Sequence, residues 1–336
     1  MSAVRIPVRP RVGIVTPALA DANNGNWQTA RRWSRMLATS HRVHLLSHWP
    51  GDNAPELDVL LALHARRSAA AIAAFSQRHP QRPLIVALTG TDLYRDIATD
   101  ASARHSLEVA HRLVVLQDQG PNELPPHLRA KCRVVFQSST SRPTMQKTQR
   151  HLRVAVVGHL RTEKSPQTVF EVARLLHPQD GILIDHLGVA LDPELGREAQ
   201  ATMAGCPHYR WLGGVSHAQS RRMIQRAHLL LHPSQMEGGA HVVMEAITSG
   251  TPVLASQVAG NIGMLGSDYA GYFPWGDADR AAALLRQCRL DQTRPAPDTT
   301  DLLSRLHAQC ALRAPLFSPQ LEAQALQRLM HELLNP

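Results

Sequence analysis

Residues 232–258, HPSQMEGGAHVVMEAITSGTPVLASQV, contain one complete strand–helix–strand unit. A buried strand is predicted over Leu229–His232 and ends at a Pro-Ser pair. A helix is predicted over Ala240–Ile247 and stops at a Gly that is followed closely by a Pro, the usual signals at a helix end. A second strand is predicted over Val253–Ala255. Because short links join these elements, the segment predicts an α/β fold with a parallel sheet.

Two carboxylates flank the start of this helix. Glu237 lies in the loop before the helix, and Glu245 lies about two turns into it. The glycines between them leave the backbone N–H groups open to a phosphate, and the second carboxylate could bind paired ribose hydroxyls. The residues expected to line this site are Gly238, Gly239, Ala240 and His241. Two solvated glutamates on a surface helix are the alternative, but the complete string is much rarer than a Glu pair, so we predict a ligand site.

The remainder of the chain repeats the alternation of strands and helices. Further strands are predicted over residues 12–16, 42–47, 59–63, 84–89, 113–116, 133–136, 152–157, 182–187 and 209–212. Further helices are predicted over residues 27–39, 68–78, 166–176, 193–203, 218–226 and 317–334. The polar segment 137–151 reads as a linker between two doubly wound domains. Ligands of such sheets bind beyond the carboxyl ends of the strands, here in a cleft between the domains.

Length and charge narrow the classes of function. The 336 residues suit two domains, since single domains are usually about 150 residues long. The net charge of +9 favours acidic partners, such as nucleic acid, an anionic membrane or phosphorylated small molecules. Basic residues form no long run and alternate with few aromatic residues, so we do not expect nucleic-acid binding.

The sequence also predicts a cytoplasmic location. The four cysteines show no CxxC spacing, which favours free thiols in a reducing cytosol. No apolar stretch is long enough to span a membrane, and the N-terminal segment MSAVRIPVRPR lacks the apolar part of a signal peptide. His41, His44 and His48 have no carboxylate or Cys beside them and do not predict a metal site. Nothing in the sequence indicates an oligomeric state.

The segment 232–258 resembles the donor site of the retaining GT-B glycosyltransferases of family 4. Their signature is a Glu, seven residues, a second Glu, an Ala and a Gly-x-Pro-Val turn, which this chain matches at Glu237, Glu245, Ala246, Gly250, Pro252 and Val253. The resemblance implies that the first Glu contacts the transferred sugar and the second holds the donor ribose. It also implies two Rossmann-like domains facing a cleft, an acceptor domain over residues 1–145 and a donor domain over 151–316. The final helix, about 317–336, would return to the first domain.

A basic loop, GHLRTEKSP, follows the strand 152–157. The family pattern there is Gly-Arg-Leu and then Glu-Lys-Gly, whose Arg and Lys clamp the donor diphosphate. Lys164 matches the Lys, His159 takes the position of the Arg, and Arg161 stands two residues further on. The diphosphate gains negative charge as the sugar bond breaks, and two cations can stabilise that charge without a metal. We therefore expect no metal and no cofactor; simple solvation of these side chains is the alternative.

A turn-prone loop follows the first strand. Family members carry a Gly-rich loop at this point, near the donor diphosphate and the acceptor. This chain has Asn24, Gly25 and Asn26 instead of a Gly pair. The resemblance implies donor binding, whereas an ordinary Asx turn remains the alternative.

The strand 84–89 leads into the candidate acceptor site. Many family members have His-Gly at this strand end, and that His approaches the acceptor. Here the pair is Thr89 and Gly90, and a Thr is not a base at neutral pH. His64, at the end of another strand, is an alternative, although a structural His is more common there. Asp92 either positions the acceptor or caps the following turn.

A narrower resemblance extends over most of the chain. The segments LALHARRSAAAIAAFSQRHP, LIVALTGTDLYRDI, VVLQDQGPNELP, VVGHLRTEKSP and MEGGAHVVMEAITSGTPVLAS together resemble the selenosugar synthases of selenoneine biosynthesis. Such enzymes join selenophosphate to a UDP-sugar, which would be UDP-N-acetylglucosamine or UDP-glucose. The selenium is already anionic, so the loss of a base at Thr89 is tolerable. Arg66, Arg67 and Arg95 are the candidates to hold the selenophosphate.

Three other functions remain open at this stage. The same fold could transfer a sugar to a sugar or lipid hydroxyl, but that reaction predicts a base at position 89. A basic protein that binds nucleic acid without catalysis would not need the matched Glu and Lys residues. A nucleotide-sugar epimerase would need no acceptor.

Overall fold

The computed structural model describes residues 9–17, 25–51, 53–294 and 299–335. The chain forms two compact units. The first contains the described residues up to Gln137 together with those from Pro319 onward, and the second contains Ser138–Ser318. Each unit holds one six-stranded sheet. Within the described ranges, no helix has both the length and the apolar character needed to cross a membrane.

The first sheet is parallel throughout, in the order β2-β1-β3-β4-β5-β6. Its strands are β1 (Arg11–Val15), β2 (Arg42–Leu46), β3 (Val59–Leu63), β4 (Leu84–Ala87), β5 (Arg112–Val115) and β6 (Cys132–Val134). The direction of winding reverses between β1 and β3. The carboxyl ends of strands at such a reversal are the usual place for a ligand in an open α/β sheet.

Helices cover both faces of this sheet. They are α1 (Gly25–Leu37), α2 (Ala69–Arg78), a π-helix (Asp92–Asp96) that continues into α3 (Ile97–Thr99), α4 (Ala101–Val109) and α12 (Pro319–Leu334), with short 3₁₀ turns over Gly120–Glu123 and Pro126–Lys131. Phe75 of α2 and Leu107 of α4 pack in one apolar cluster, while Trp33 of α1 and Leu329 of α12 pack in another. Alternate residues of β3 belong to the two clusters, as the twofold period of a strand requires.

A buried carboxylate joins α12 to α1. Glu322 accepts a hydrogen bond from Trp33 Nε1 at 2.6 Å and forms an ion pair with Arg32 Nε at 2.8 Å. The Glu322 side chain is fully buried, so its charge depends on these partners. The C-terminal helix is thereby attached to the first sheet rather than to the second.

The second sheet is also parallel, in the order β12-β11-β10-β7-β8-β9. Its strands are β7 (Leu152–Val157), β8 (Ile182–Leu187), β9 (Tyr209–Trp211), β10 (Leu229–His232), β11 (Val253–Ser256) and β12 (Tyr272–Phe273). Its helices are α5 (Pro166–Leu175), α6 (Pro193–Gly205), α7 (His217–Arg226), α8 (His241–Ile247), α9 (Ala259–Leu265), α10 (Ala278–Thr293) and α11 (Leu302–Arg313). The winding reverses between β7 and β10.

The polar segment after Gln137 is hydrogen-bonded to other parts of the second unit. Arg142 N–H donates to the Thr248 carbonyl at 3.0 Å, and Gln225 Nε2 donates to the Pro143 carbonyl at 2.7 Å. Arg221 donates to the Thr140 carbonyl at 2.6 Å. Residues 138–145, which the sequence assigns to the first domain and its linker, therefore lie against the second unit, because polar side chains of α7 bind their backbone groups.

Candidate functional site

Two loops of the second unit meet where its sheet reverses direction. Residues 158–165 follow β7, and residues 233–240 follow β10, the strand paired with β7. Gln235 N–H donates to the Glu163 carbonyl at 3.0 Å, which ties one loop to the other. The two sequence motifs that carry the predicted donor residues therefore come together at one edge of the sheet.

Lys164 and Glu237 form an ion pair between these loops. Lys164 Nζ lies 2.5 Å from Glu237 Oε1, and His232 Nε2 lies 3.1 Å from the same oxygen. Burial alone would raise the pKa of Glu237. The charge of Lys164 and the adjacent His232 imidazole outweigh burial, so the pKa of Glu237 lies well below its ordinary value. Glu237 is consequently an anion throughout the physiological pH range.

Close backbone packing fixes the loop that carries Glu237. Gly260, in α9, lies so near the Glu237 carbonyl group that a Cβ atom would overlap it. Ser256 Oγ donates to the Ser234 carbonyl at 2.5 Å, and Asn261 Nδ2 donates to the Ser256 carbonyl at 2.9 Å. Because these contacts are buried, the position of Glu237 is determined by α9 and β11 as well as by its own loop.

Glu245 lies in α8 and is also buried. His217 Nε2 lies 2.6 Å from its Oε1 atom, and Arg221 lies 3.8 Å from the same atom. The hydrogen bond to Glu245 raises the pKa of His217, although burial opposes the shift. Within the described ranges, Oε2 of Glu245 has no hydrogen-bond partner. One carboxylate oxygen is thus held by basic side chains of α7, while the other can accept a hydrogen bond from a ligand.

The remaining predicted donor residues of the second unit differ in burial. Gly238 and Ala240 are buried, whereas Gly239 and His241 are half-buried at the start of α8. Arg161 is exposed and lies 3.9 Å from Glu163. His159 is exposed, and its Nδ1 accepts a hydrogen bond from Val189 N–H at 3.2 Å. Partial desolvation of the ring, followed by the charges of Arg161 and Lys164, lowers the pKa of His159.

The predicted loop after β1 is described only in part. Asn24 lies outside the described residues. Gly25 is the exposed first residue of α1, and Asn26 is half-buried beside it. The Gly25 carbonyl accepts a hydrogen bond from Thr29 Oγ1 at 2.8 Å. This hydrogen bond is typical of the first turn of a helix and gives no information about ligand binding.

His64 and Asp92 form a buried pair at the carboxyl ends of β3 and β4 in the first unit. His64 Nδ1 lies 2.5 Å from Asp92 Oδ1, and both side chains are about 1% exposed or less. Asp92 also accepts hydrogen bonds from the N–H groups of Ala65 and Thr89 at 2.9 and 3.3 Å. His64 has a φ of 75°, a conformation that non-Gly residues rarely adopt and that surrounding contacts must maintain. Asp92 therefore links the loop that follows β3 to the loop that follows β4. His64 is buried beneath the protein surface.

The predicted acceptor arginines meet a second carboxylate. Asp96 is buried and lies 2.8 Å from Arg66 Nε and 3.2 Å from Arg95 Nε. Arg67 is exposed, and its backbone nitrogen lies 3.3 Å from His64 Nδ1. Thr89 and Gly90 are half-buried at the end of β4. The guanidinium groups of Arg66 and Arg95 are thus about half exposed around one anion, a suitable arrangement for a phosphorylated ligand.

His64, Asp92 and Asp96 are also close enough to share a metal ion, since their ligand atoms all lie within 4.8 Å of one another. The two arginines on Asp96 already neutralise that carboxylate and would repel a cation. The charges around the cluster therefore favour an anion at its surface over a metal within it.

Residues 137–297 match the sequence model of a protein family described as Glycosyl transferases group 1. The match covers most of the second unit and slightly less than half of the chain. No curated protein matches the chain. Both carboxylate sites of the second unit fall within the matched residues.

Solved structures show the fold of the whole chain. HepE from Anabaena, in complex with UDP and glucose, is 15% identical with a TM-score of 0.72, over 96% of this chain and 100% of HepE. A sucrose-phosphate synthase from Thermosynechococcus elongatus is 15% identical with a TM-score of 0.73, over 97% of this chain and 99% of that one. TarM from S. aureus, in a complex that includes UDP, is 13% identical with a TM-score of 0.64. The alignment covers 83% of this chain but only 55% of TarM, so the chain spans about half of that relative. The likeness shows that this chain has the GT-B fold.

The structure adds His217, Arg221 and His232 to the candidate donor-site residues that the sequence indicated. His232 could have been found, because it ends the strand immediately before the Glu237 loop. His217 and Arg221 lie on α7, far along the chain from Glu245, and no local signal connects them to it. Asp96 was missed in the first unit because no local signal connects it to Arg66, which lies 30 residues earlier in the sequence.

Proposed function

We propose that this chain transfers a sugar from a UDP-sugar to selenophosphate. The observation that carries the donor half is the buried Lys164–Glu237 pair between two loops at the carboxyl ends of adjacent strands. HepE has the same fold and binds UDP and glucose in its structure, which supports a UDP-sugar donor here. The donor would be UDP-N-acetylglucosamine or UDP-glucose.

Each charged group at the donor site has a role in this proposal. Lys164 and Arg161 would stabilise the diphosphate as it gains negative charge, in place of a metal ion. Glu237 would face the transferred sugar, where a fixed anion stabilises positive charge at the anomeric carbon. The open oxygen of Glu245 would accept a hydrogen bond from a ribose hydroxyl. The reaction would then need no cofactor.

The acceptor half depends on the first unit. Arg66 and Arg95 both form ion pairs with Asp96. Arg67, the next residue after Arg66, is exposed. In the proposed reaction the selenium attacks the anomeric carbon, the bond from that carbon to the diphosphate oxygen breaks, and UDP leaves with the bonding electrons. Water then cleaves the selenium–phosphorus bond and gives phosphate and the 1-selenosugar. The narrower resemblance and the Thr89 substitution favour selenophosphate over a hydroxyl acceptor.

The test is mass spectrometry of one reaction that contains the protein, selenophosphate, either UDP-sugar and EDTA. We expect a product with the isotope pattern of selenium, together with UDP. The Glu237→Ala variant should lose the product, whereas Glu171→Gln, on the exposed face of α5, should retain it. UDP release that requires a hydroxyl acceptor would favour an ordinary glycosyltransferase instead. Activity that EDTA abolishes would contradict the metal-free mechanism.

A matched set of arginine variants tests the acceptor site. Arg66→Ala and Arg95→Ala should raise the selenophosphate KM and leave the UDP-sugar KM unchanged. Arg78→Ala, at the exposed end of α2, is the control for loss of one surface charge. If all three variants behave alike, Arg66 and Arg95 contribute only net charge.

A further inference from the structure

Trp275 has an unusual position for an aromatic residue in this protein. Its side chain is 50% exposed, and it is the one aromatic residue among the exposed large apolar side chains of the described ranges. It follows β12 in a tight turn, in which Asp277 N–H donates to the Pro274 carbonyl at 3.0 Å and Gly276 has a φ of 84°. Because Gly is favoured where φ is positive, this turn is well defined and presents the indole ring to solvent.

The indole ring is also attached to the donor site. Its Nε1–H donates to Ser165 Oγ at 2.9 Å, and Ser165 directly follows Lys164. Ser165 is buried and has a φ of 47°, a strained conformation for a residue other than Gly. The contact with Trp275 helps to maintain that conformation. It also uses the only polar atom of the indole, so that the exposed part of the side chain is a flat apolar surface beside the Lys164 turn.

We propose that Trp275 binds the transferred sugar of the donor by stacking against the C–H face of the pyranose ring. This inference rests on the proposed function and deepens it. A sugar whose anomeric carbon lies near Glu237 must also lie near the turn of Lys164, the ion-pair partner of Glu237. Glu245, by contrast, would mark the ribose end of the donor. The location therefore favours the sugar over the uracil as the group that meets the indole.

The two functions of Trp275, stacking and support of the turn, can be separated by substitution. Trp275→Ala removes both, Trp275→Phe keeps an aromatic ring but loses the N–H donor, and Ser165→Ala removes only the acceptor. Calorimetric titration of each variant with UDP and with the UDP-sugar gives the ratio of the two affinities. We expect Trp275→Ala to weaken UDP-sugar binding about tenfold and to leave UDP binding within about twofold. Trp275→Phe and Ser165→Ala should each retain most of the wild-type ratio of UDP-sugar affinity to UDP affinity. Both should lower kcat, because the Lys164 turn loses the hydrogen bond between Trp275 and Ser165.

Fluorescence gives an independent readout of the same contact. Acrylamide should quench the exposed Trp275 in the free protein, the UDP-sugar should protect it, and UDP alone should not. Equal losses of UDP and UDP-sugar affinity in Trp275→Ala would overturn the proposal, because they would indicate contact with the nucleotide or a general loosening. A Ser165→Ala variant with the same affinity ratio as Trp275→Ala would also overturn it. A wild-type protein that binds neither UDP nor a UDP-sugar would overturn the proposed function itself.

Discussion

Glu237 keeps its charge in a buried position because Lys164 and His232 surround it. An ionised carboxylate without such partners would be too costly to bury. The pair also has a functional consequence. In the proposed reaction, a diphosphate bound to Lys164 would share that cation with Glu237, and Glu237 would become more available to positive charge that develops on the sugar.

Glu237→Gln should therefore reduce catalysis more than binding. We expect kcat to fall about 10²- to 10³-fold, as for the loss of one group that stabilises a transition-state charge, while the UDP affinity changes little. Steady-state kinetics and calorimetry with UDP measure the two quantities. Glu171→Gln, on the exposed face of α5, should match the wild type. An equal loss of kcat and UDP affinity would indicate that Glu237 has only a structural role.

Asp96 is the residue that holds two acceptor arginines together. Asp96→Asn removes the negative charge between Arg66 and Arg95, so their guanidinium groups should repel each other and separate. We expect the selenophosphate KM to rise about tenfold with an unchanged UDP-sugar KM. Asp268→Asn, an exposed position, is the control for the change in net charge. A change in the UDP-sugar KM alone would contradict this assignment.

At the scale of elements, a buried carboxylate of α12 makes polar contacts with α1. Glu322→Ala would leave Trp33 Nε1 and the Arg32 guanidinium without this partner. We expect a loss of about 3–5 kcal/mol in the free energy of unfolding, the usual cost of breaking a buried ion pair. Urea denaturation measures it, and Gln327→Ala on the exposed face of α12 is the control. Equal stability of the two variants would show that apolar packing alone holds the helix.

The contact between β7 and the end of α7 includes a neutral histidine. His228 Nδ1 accepts from Arg153 N–H at 2.8 Å, and Nε2 donates to the Thr148 carbonyl at 2.8 Å. Burial lowers the pKa of His228 to about 4. The unfolded chain, in which the pKa of a His is about 6.5, therefore binds more protons between these values. The contribution of His228 to stability should be constant above pH 6.5 and should fall as the pH decreases from 6.5 to about 4.

Thermal unfolding across that pH range tests this expectation. His228→Asn should flatten part of the dependence, and only part, because burial also lowers the pKa of His307 to about 4. His105→Gln, at an exposed position on α4, should follow the wild-type curve. An unchanged curve for His228→Asn would exclude His228 as the source.

At the scale of the whole molecule, the net charge of +9 matches a reaction between two anionic substrates. Both substrates should be attracted over distances comparable to the Debye length, about 10 Å at 0.1 M salt. We expect both KM values to rise several-fold between 0.05 and 0.5 M NaCl, with a smaller change in kcat. Initial rates at each salt concentration check this. A kcat that falls with unchanged KM values would indicate a specific effect of salt on the catalytic groups.

The sequence predicted the two parallel sheets because each buried strand is a short apolar run between turn signals. Nine strands, including β3, β7 and β10, have the predicted ends or differ by one residue at most at either end, and the GT-B fold is confirmed. Between β11 and the final helix, the prediction missed α9, β12, α10 and α11. It also missed α4, whose polar residues and modest apolar face give a weak helical period. Helices that depend on tertiary packing leave little trace in local sequence.

The candidate donor site likewise combines features that the sequence predicts with features that only the folded chain shows. The sequence alone determined which residues are candidates for donor chemistry, because Glu237, Glu245 and Lys164 lie in motifs with fixed spacing beside strands and glycines. Only the tertiary structure decided what those residues touch. The partners of Glu245, on α7, and the indole that supports the Lys164 turn come from distant parts of the chain. Local sequence encodes backbone conformation and residue type, whereas side chains meet across a sheet only after the strands are ordered, and that order is a property of the folded chain.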